Sequence, residues 1–285
     1  MERQPIVAGR FYPAERGECE RELKKMFEGA AAPRAVGAIV PHAGWVYSGS
    51  TAALAITGVA ESCPETLVIF GAVHVPTRAE AAVFPGGRWR TPLGSVGVDE
   101  ELADEIARCG RVTPDAEVHR LEHSIEVELP LIQMLLPGVS IVPIMVRPGP
   151  WAEDVGRACG RAALAAGRKV AVIGSTDLTH YGPAFGFEPH GRGQAGTRWS
   201  KEVNDRRMVR LIQRLDATGV ISEAAANRNA CGAGAVAATI GAMLEMGASK
   251  YVELRHCTSA ECEEGWGGVE VNSVGYEAGV FLMPS

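Results

Sequence analysis

The segment Thr66-Leu-Val-Ile-Phe-Gly71, followed by Ala72-Val73-His74, carries the pattern that decides the fold. It is an unbroken apolar run of strand length that ends in a glycine, and a titratable side chain comes directly after it. Similar runs occur at residues 36–41, 140–146 and 169–174. Continuous apolar strands are typical of a parallel sheet that is covered on both faces.

Segments with helical periodicity separate these runs, at residues 48–58, 99–109, 122–136, 151–166 and 203–216. Strands that alternate with helices predict one α/β domain over residues 1–285, with a central, largely parallel or mixed sheet flanked by helices on both faces. The Gly- and Pro-rich residues 83–98 predict an antiparallel excursion, and residues 251–255 and 275–283 add two late strands. Residues 181–197 contain many glycines and predict a loop over a site.

Composition excludes several classes of function. The chain has 285 residues and a net charge of −6, so it lacks the concentrated basic face that a nucleic-acid-binding protein needs. Its uncharged stretch at residues 229–244 is too short and glycine-rich to span a bilayer. Seven cysteines without a dense framework, and a start without an apolar signal core, lead us to expect a reduced, cytoplasmic setting.

Polar side chains follow three of the predicted strands. His42 follows residues 36–41, His74 follows residues 66–71, and Asp177 and His180 follow residues 169–174. Ligands of open α/β sheets bind beyond the carboxyl ends of the strands, so we expect these groups at one edge of the sheet. Asp177 also fits a plain helix N-cap, and a lone histidine in a turn is often a surface residue.

A cysteine completes a candidate metal site. Cys231 stands at the predicted start of a small-residue helix over residues 231–246, where backbone amides favour a thiolate. Two imidazoles and one thiolate form a mixed nitrogen and sulfur donor set that suits a transition metal. Taken by itself, a cysteine at position 231 is more typical of a small buried core residue.

The segment Glu122-His123-Ser-Ile-Glu126 offers further polar groups. On a helix, His123 and Glu126 would share one face at a spacing of three residues. Together with Glu122 they would form either a ligand pair or a set that orients another ligand. A plain exposed helix start is the alternative.

Six spaced motifs resemble those of the Memo family, which includes the proteins labelled AmmeMemoRadiSam system protein B. They are Val7-Ala-Gly-Arg-Phe-Tyr-Pro13, Pro41-His-Ala-Gly-Trp-Val-Tyr-Ser-Gly49, Thr91-Pro-Leu-Gly94, Glu122-His-Ser-Ile-Glu126, Ser175-Thr-Asp-Leu-Thr-His-Tyr-Gly182 and Cys231-Gly232. The resemblance implies a fold like the class III extradiol (LigB-like) dioxygenases, which use non-haem Fe(II). It also implies a functional partnership with radical SAM and AMMECR1-like proteins.

The resemblance implies a ligand set as well. The two histidines and one cysteine that hold metal in the family correspond to His42, His74 and Cys231, and the pocket residues correspond to Asp177 and His180. The chain departs from the family pattern at Ala72-Val73-His74-Val75, where relatives often carry a second histidine or a serine. A polar contact to substrate is therefore expected to be absent there.

Four functional hypotheses remain open at this point. The first is an Fe(II)-dependent, dioxygenase-like oxidoreductase acting on an unknown small molecule, with Asp177, His180 and His123 as catalytic groups for proton transfer. The second is a metal-dependent hydrolase that uses zinc. The third is a non-catalytic module for iron, Cu(I) or partner docking, and the fourth makes Cys231 a covalent nucleophile with His180 as its base.

Overall fold

A computed structural model of the chain describes residues 1–261 and 271–284. The strands and helices within those ranges have the following bounds. The strands are β1 (Glu2–Arg3), β2 (Gly37–Val40), β3 (Thr66–Gly71), β4 (Ala81–Val83), β5 (Arg88–Thr91), β6 (Gly94–Gly97), β7 (Val112–Pro114), β8 (Ser140–Val146), β9 (Val170–Ser175), β10 (His180–Tyr181), β11 (Lys250–Thr258) and β12 (Ser273–Leu282). The α-helices are α1 (Arg16–Phe27), α2 (Trp45–Ala60), α3 (Glu100–Ala107), α4 (Glu117–Arg120), α5 (Leu129–Leu135), α6 (Ala152–Ala165), α7 (Gln194–Trp199), α8 (Arg206–Gln213), α9 (Ala217–Asn227) and α10 (Ala233–Glu245).

The main sheet is built on four parallel strands in the order β2-β9-β3-β8. β12 joins β2 antiparallel at one side, and β4 joins β8 antiparallel at the other. β10 and β11 pair with β12, and β7 extends the sheet beyond β4. The predicted mixed, largely parallel sheet is therefore confirmed.

Helices cover both faces of this sheet, as the continuous apolar strands predict. Alternate strand residues point to opposite faces, so Ile39 and Val172 belong to one core and Ala38 and Ile173 to the other. The first core is closed by α3, α6 and α8–α10, and the second by α1, α2 and α5. Both faces are covered by buried apolar side chains, which leaves the ends of the strands as the place for chemistry.

The antiparallel excursion predicted at residues 83–98 is also present. β5 and β6 form an antiparallel hairpin, and β1 adds to it in a separate three-stranded sheet. No helix in residues 1–261 or 271–284 has the length and apolar character to cross a membrane.

The prediction of a helix over residues 122–136 is wrong for the first half of that range. Residues 122–125 are not helical, a 3₁₀ turn covers Glu126–Glu128, and α5 begins only at Leu129. Pro130 explains the late start, because proline fits the first turn of a helix and not its interior. His123 and Glu126 therefore do not share a helix face, contrary to the expectation from their spacing.

Glu126 binds the N-terminal segment instead. This fully buried carboxylate accepts hydrogen bonds from the amides of Ile6 and Val7 and from the hydroxyl of Tyr12, at 2.8–2.9 Å. It also forms an ion pair of 2.7 Å with buried Arg3. Glu126 thus fixes the N-terminal segment against the site.

The helix predicted over residues 203–216 starts earlier and is interrupted. The chain is helical from Gln194, inside the segment that was predicted as a loop, and it continues to Gln213. A π-helical turn at Ser200–Asp205 lies between α7 and α8.

Candidate metal centre

Three neighbouring strands deliver polar groups to one edge of the sheet. His42 lies two residues after β2, Asp177 two residues after β9, and His74 three residues after β3. These strands are adjacent in the order β2-β9-β3, so their carboxyl ends lie side by side. The sequence-based placement of these three residues agrees with the topology.

Cys231 reaches this edge from the turn that precedes α10. The Cys231 amide donates to the carbonyl of Asp177 at 3.1 Å, and the Asp177 amide donates to the Cys231 sulfur at 3.3 Å. The Gly232 amide donates to the Thr176 hydroxyl at 3.0 Å. Hydrogen bonds donated from each side therefore join the end of β9 to the turn that precedes α10.

Three imidazoles form a histidine cluster, defined as His42, His74 and His123. One ring nitrogen from each lies within 4.8 Å of those from the other two. The ring centroids are 4.9–5.6 Å apart, and the rings of His74 and His123 are stacked. His123, which we expected to transfer protons, therefore stands in a position from which it can also bind a metal.

The thiol of Cys231 adjoins this histidine cluster. Its sulfur lies 3.3 Å from His42 Nε2 and is close enough to His74 for the two side chains to shift each other's pKa. Of the three residues expected to bind metal, His42 and His74 belong to the histidine cluster, and Cys231 lies beside it without being a member. Three nitrogens and one sulfur form a donor set that a transition-metal ion would accept.

Neighbouring groups fix the orientation of two of these rings. The Ser175 hydroxyl donates to the Ser124 carbonyl at 3.2 Å, so it accepts from His42 Nδ1 at 2.8 Å. His74 Nδ1 donates to the carboxylate of Glu122 at 3.0 Å. Both histidines therefore turn Nε2 toward the shared space, in the manner of metal ligands held by a second hydrogen bond.

Glu122 is a buried carboxylate at the base of the histidine cluster. It accepts from the backbone amide of His74 at 2.6 Å, from that of His123 at 2.9 Å and from that of Ser124 at 3.0 Å. Burial alone would raise the pKa of this group, but the hydrogen bonds and charge of His74 and the backbone amides lower it to about 2. Glu122 is therefore an anion that holds its neighbours in place, in agreement with one of the two roles proposed for it from sequence.

The pKa values of His74 and Cys231 shift in opposite directions, so that the imidazolium becomes the weaker acid of the two. Burial would lower the pKa of His74, but its hydrogen bonds to Cys231 and Glu122 raise it to about 10. Burial would raise the pKa of the Cys231 thiol, but the charge and hydrogen bond of His42 and the hydrogen bond of His74 lower it to about 7. Without a metal, the site thus favours a thiolate next to an imidazolium, and a cation in the site would replace that proton.

Burial opposes a positive charge on the other two imidazoles, whereas an adjacent Cys231 thiolate favours one on His42. Burial lowers the pKa of His42, which is 2% exposed, and lowers that of His123 to about 4. Neutral imidazole is the form that binds metals.

Asp177 and His180 have distinct surroundings. The buried carboxylate of Asp177 accepts from the His42 amide at 2.8 Å and from the Ala43 amide, and burial raises its pKa. His180 is half-buried, its Nδ1 is hydrogen-bonded to the Leu178 carbonyl at 3.1 Å, and its ring packs against Phe185. His180 is close enough to attract Asp177 electrostatically but is not a member of the histidine cluster.

Some residues at the site escaped the sequence reading. Ser175 belongs to one of the family motifs, but its role depends on a contact with His42 that no local pattern reveals. The Phe11 ring lies 5.0 Å from the His123 ring and also lines a cavity of about 980 Å³, together with Tyr47 and Arg255. The signal for Phe11 in the sequence was its place in the motif at residues 7–13.

Comparisons with known proteins agree on one family. The family model described as Memo-like protein matches residues 3–280. The chain is similar to a MEMO1 family protein of Methanopyrus kandleri (37% identical, covering 99% of both chains) and to one of Pyrococcus abyssi (40% identical, covering 92% of this chain and 94% of the relative). A crystal structure of an uncharacterized Escherichia coli K12 protein shares the fold, with a TM-score of 0.53 at 13% identity over 86% of this chain and 99% of the other.

Proposed function

The chain belongs to the Memo-like family, and from that premise and the donor set at its sheet edge we propose that it binds a transition-metal ion, foremost Fe(II), as a dioxygenase-like oxidoreductase of a small molecule. The observation that carries the proposal is the convergence of three imidazoles and one thiol at the carboxyl ends of adjacent strands. His42, His74 and Cys231 would hold the ion. His123 lies beside them as a further imidazole of the histidine cluster.

The residues present fit such an ion. The Nε2 atoms of His42 and His74 face the shared space because Ser175 and Glu122 bind the opposite nitrogens. The lowered pKa of Cys231 makes the thiolate available at neutral pH. Fe(II) held by two imidazoles and one anion would supply redox chemistry and open positions for oxygen and a chelating substrate.

The chain's own groups would then handle substrate and protons. His123 is neutral and packed against Phe11, so it can accept a hydrogen bond from a substrate hydroxyl next to an apolar wall. Asp177 has a raised pKa and can hold a proton close to Cys231. His180, the first residue of β10 and three residues after Asp177, is proposed as the third proton-transfer group.

A second candidate function follows from the thiolate. Soft sulfur ligands favour Cu(I) and also bind zinc, so the same donors would serve a metal-handling or docking module without turnover. With zinc, one bound water and a neighbouring carboxylic acid such as Asp177, they would serve a hydrolase. The identity of the metal that supports activity separates these candidates.

The experiment is oxygen consumption by protein purified without air and loaded with Fe(II). We expect uptake with some member of a panel of catechols and small phenols, and its loss in Cys231→Ser and His74→Gln. His190→Asn is the matched control, because His190 stacks on Trp199 and is not a member of the histidine cluster. Tight metal binding that Cys231→Ser abolishes, without oxygen uptake, would instead support the metal-handling module, and full activity with zinc would support the hydrolase.

The family resemblance also motivates a proposed partnership with radical SAM and AMMECR1-like proteins. Co-expression of the three proteins followed by purification of this chain tests it. Recovery of this chain alone, from cells that contain all three, would contradict a stable complex.

A further inference from the structure

The π-helical turn at Ser200–Asp205 places two adjacent polar residues against the site loops. Asn204 and Asp205 are both fully buried, although each has a polar side chain. π-Turns are rare and occur frequently at functional sites. Burial of a charge and an amide is costly unless each is hydrogen-bonded, so their partners indicate what the turn does.

Asp205 binds the loop between β9 and β10. Its Oδ1 accepts from the backbone amide of Thr179 at 3.0 Å, and its Oδ2 lies 3.0 Å from Nε2 of His256, whose side chain is also fully buried. Thr179 stands between Asp177 and His180, two of the three residues assigned to proton transfer. The carboxylate of Asp205 thus ties that loop to β11.

Asn204 joins the same loop to the turn that carries Cys231. Its Nδ2 donates to the Thr179 hydroxyl at 3.1 Å and to the Asn227 carbonyl at 2.9 Å. The backbone carbonyl of Asn204 accepts a hydrogen bond from Asn229 Nδ2 at 2.8 Å. Asn229 is fully buried and lies two residues before Cys231.

We propose that Asn204 and Asp205 are positioning residues that set the place of Cys231 relative to Asp177 and the histidine cluster. The two loops that they join have little regular structure of their own, since β10 contains only His180 and Tyr181. Four hydrogen bonds join the π-helical turn to these two loops and would fix the position of both. An apolar turn in the same place would pack there without fixing the position of either loop. The inference rests on the proposed metal binding.

Co(II) serves as the probe, because a bound thiolate gives it a sulfur-to-metal charge-transfer band. We expect this band in the wild-type protein. Asn204→Asp, which turns a donor into an acceptor, and Asp205→Ala should weaken Co(II) binding by roughly 10-fold and diminish the band at saturation. This is the lower end of the effect of losing a direct partner of a ligand, because both residues act through a neighbouring residue. Asp205→Asn keeps an acceptor for the Thr179 amide and should restore most of the band. Glu202→Gln, an exposed position on the same turn, is the control and should leave both readouts unchanged.

A second readout needs no metal. Hydrogen exchange of peptides that cover residues 177–181 and 229–232 should accelerate in Asp205→Ala and Asn204→Asp while the peptides of β3 and β8 stay protected. If wild-type protein lacks the Co(II) thiolate band, the proposed metal ligation fails, and this exchange comparison decides the positioning role separately. Variants that keep wild-type exchange in both peptides, or an Asp205→Asn protein as impaired as Asp205→Ala, would overturn the inference. If Asp205→Ala does not fold, Asn204→Ser, which loses only the long amide donor, takes its place.

Discussion

Gly232 sits where the end of β9 and the start of α10 approach most closely, and Gly232→Ala should separate them. A Cβ at this position would lie 2.1 Å from the Ser175 carbonyl oxygen and 2.9 Å from Thr176 Cβ. Non-bonded heavy atoms prefer roughly 3.5–4.0 Å, so the two segments would have to move apart by about 1 Å or more. The backbone at Gly232 has φ −102°, which alanine adopts freely, so the substitution adds no backbone strain.

Relief of this clash would displace Cys231. Ser175 is fixed on its own side, because it pairs with Val40 in the sheet and binds His42 through its hydroxyl. The α10 side must therefore give way, and the Cys231 sulfur would leave the position 3.3 Å from His42 Nε2. Overpacking of a buried site costs about 1–3 kcal/mol, and we expect the upper half of that range here.

Urea unfolding and Co(II) titration measure the two effects. Gly232→Ala should lower the free energy of unfolding by about 2–3 kcal/mol and weaken Co(II) binding by roughly 10-fold or more, since a ligand itself moves. Gly17→Ala is the control: it is exposed on α1, its nearest neighbour would be Arg21 Nη1 at 3.7 Å, and it should stabilise the helix by up to about 1 kcal/mol. A Gly232→Ala protein with wild-type stability and wild-type Co(II) affinity would refute the reasoning.

Three further predictions concern the titratable side chains of Glu122, Cys231 and Glu277. Glu122→Gln keeps the shape of the side chain but loses the anion that binds His74, so calorimetric titration should show metal affinity reduced by roughly 10- to 100-fold, and an unchanged affinity would contradict the role of Glu122. In metal-free protein, the rate of Cys231 alkylation should rise with a midpoint near pH 7, below the ordinary value of 9.0, and His42→Ala should move that midpoint upward; a wild-type midpoint near 9 would be the contrary result. Burial raises the pKa of Glu277 from 4.5 to about 8, so the folded state binds the extra proton between these values and stability falls as pH rises through that window, by about 1 kcal/mol per pH unit from this group. Glu277→Gln should flatten this slope in urea unfolding at several pH values, and an unaltered slope would assign the pH dependence elsewhere.

The sequence predicted the features that depend on local pattern and simple topology. Apolar strands that end in Gly71 or near Ser175 predict a parallel sheet, and parallel strands must end at one edge, so the meeting of His42, His74 and Asp177 was foreseeable. Cys231 was a candidate because of its place before a predicted helix, and the resemblance to a family joined it to His42 and His74 as one ligand set.

Other features depend on contacts that no local pattern encodes. The apolar residues after Glu126 suggested one long helix, but Pro130 fits only its first turn, and Glu126 bonds to the N-terminal segment more than a hundred residues away. For the same reason, the position of His123 in the histidine cluster and the bond between Ser175 and His42 became apparent only in the fold.

The most direct test of the proposed metal centre is X-ray absorption spectroscopy of protein purified and loaded with Fe(II) without air. We predict stoichiometric iron with nitrogen or oxygen neighbours and a sulfur neighbour, and we predict that the sulfur contribution disappears in Cys231→Ser. Iron that fails to bind stoichiometrically, or iron whose spectrum contains no sulfur neighbour in the wild-type protein, would contradict the assignment of His42, His74 and Cys231 as its ligands.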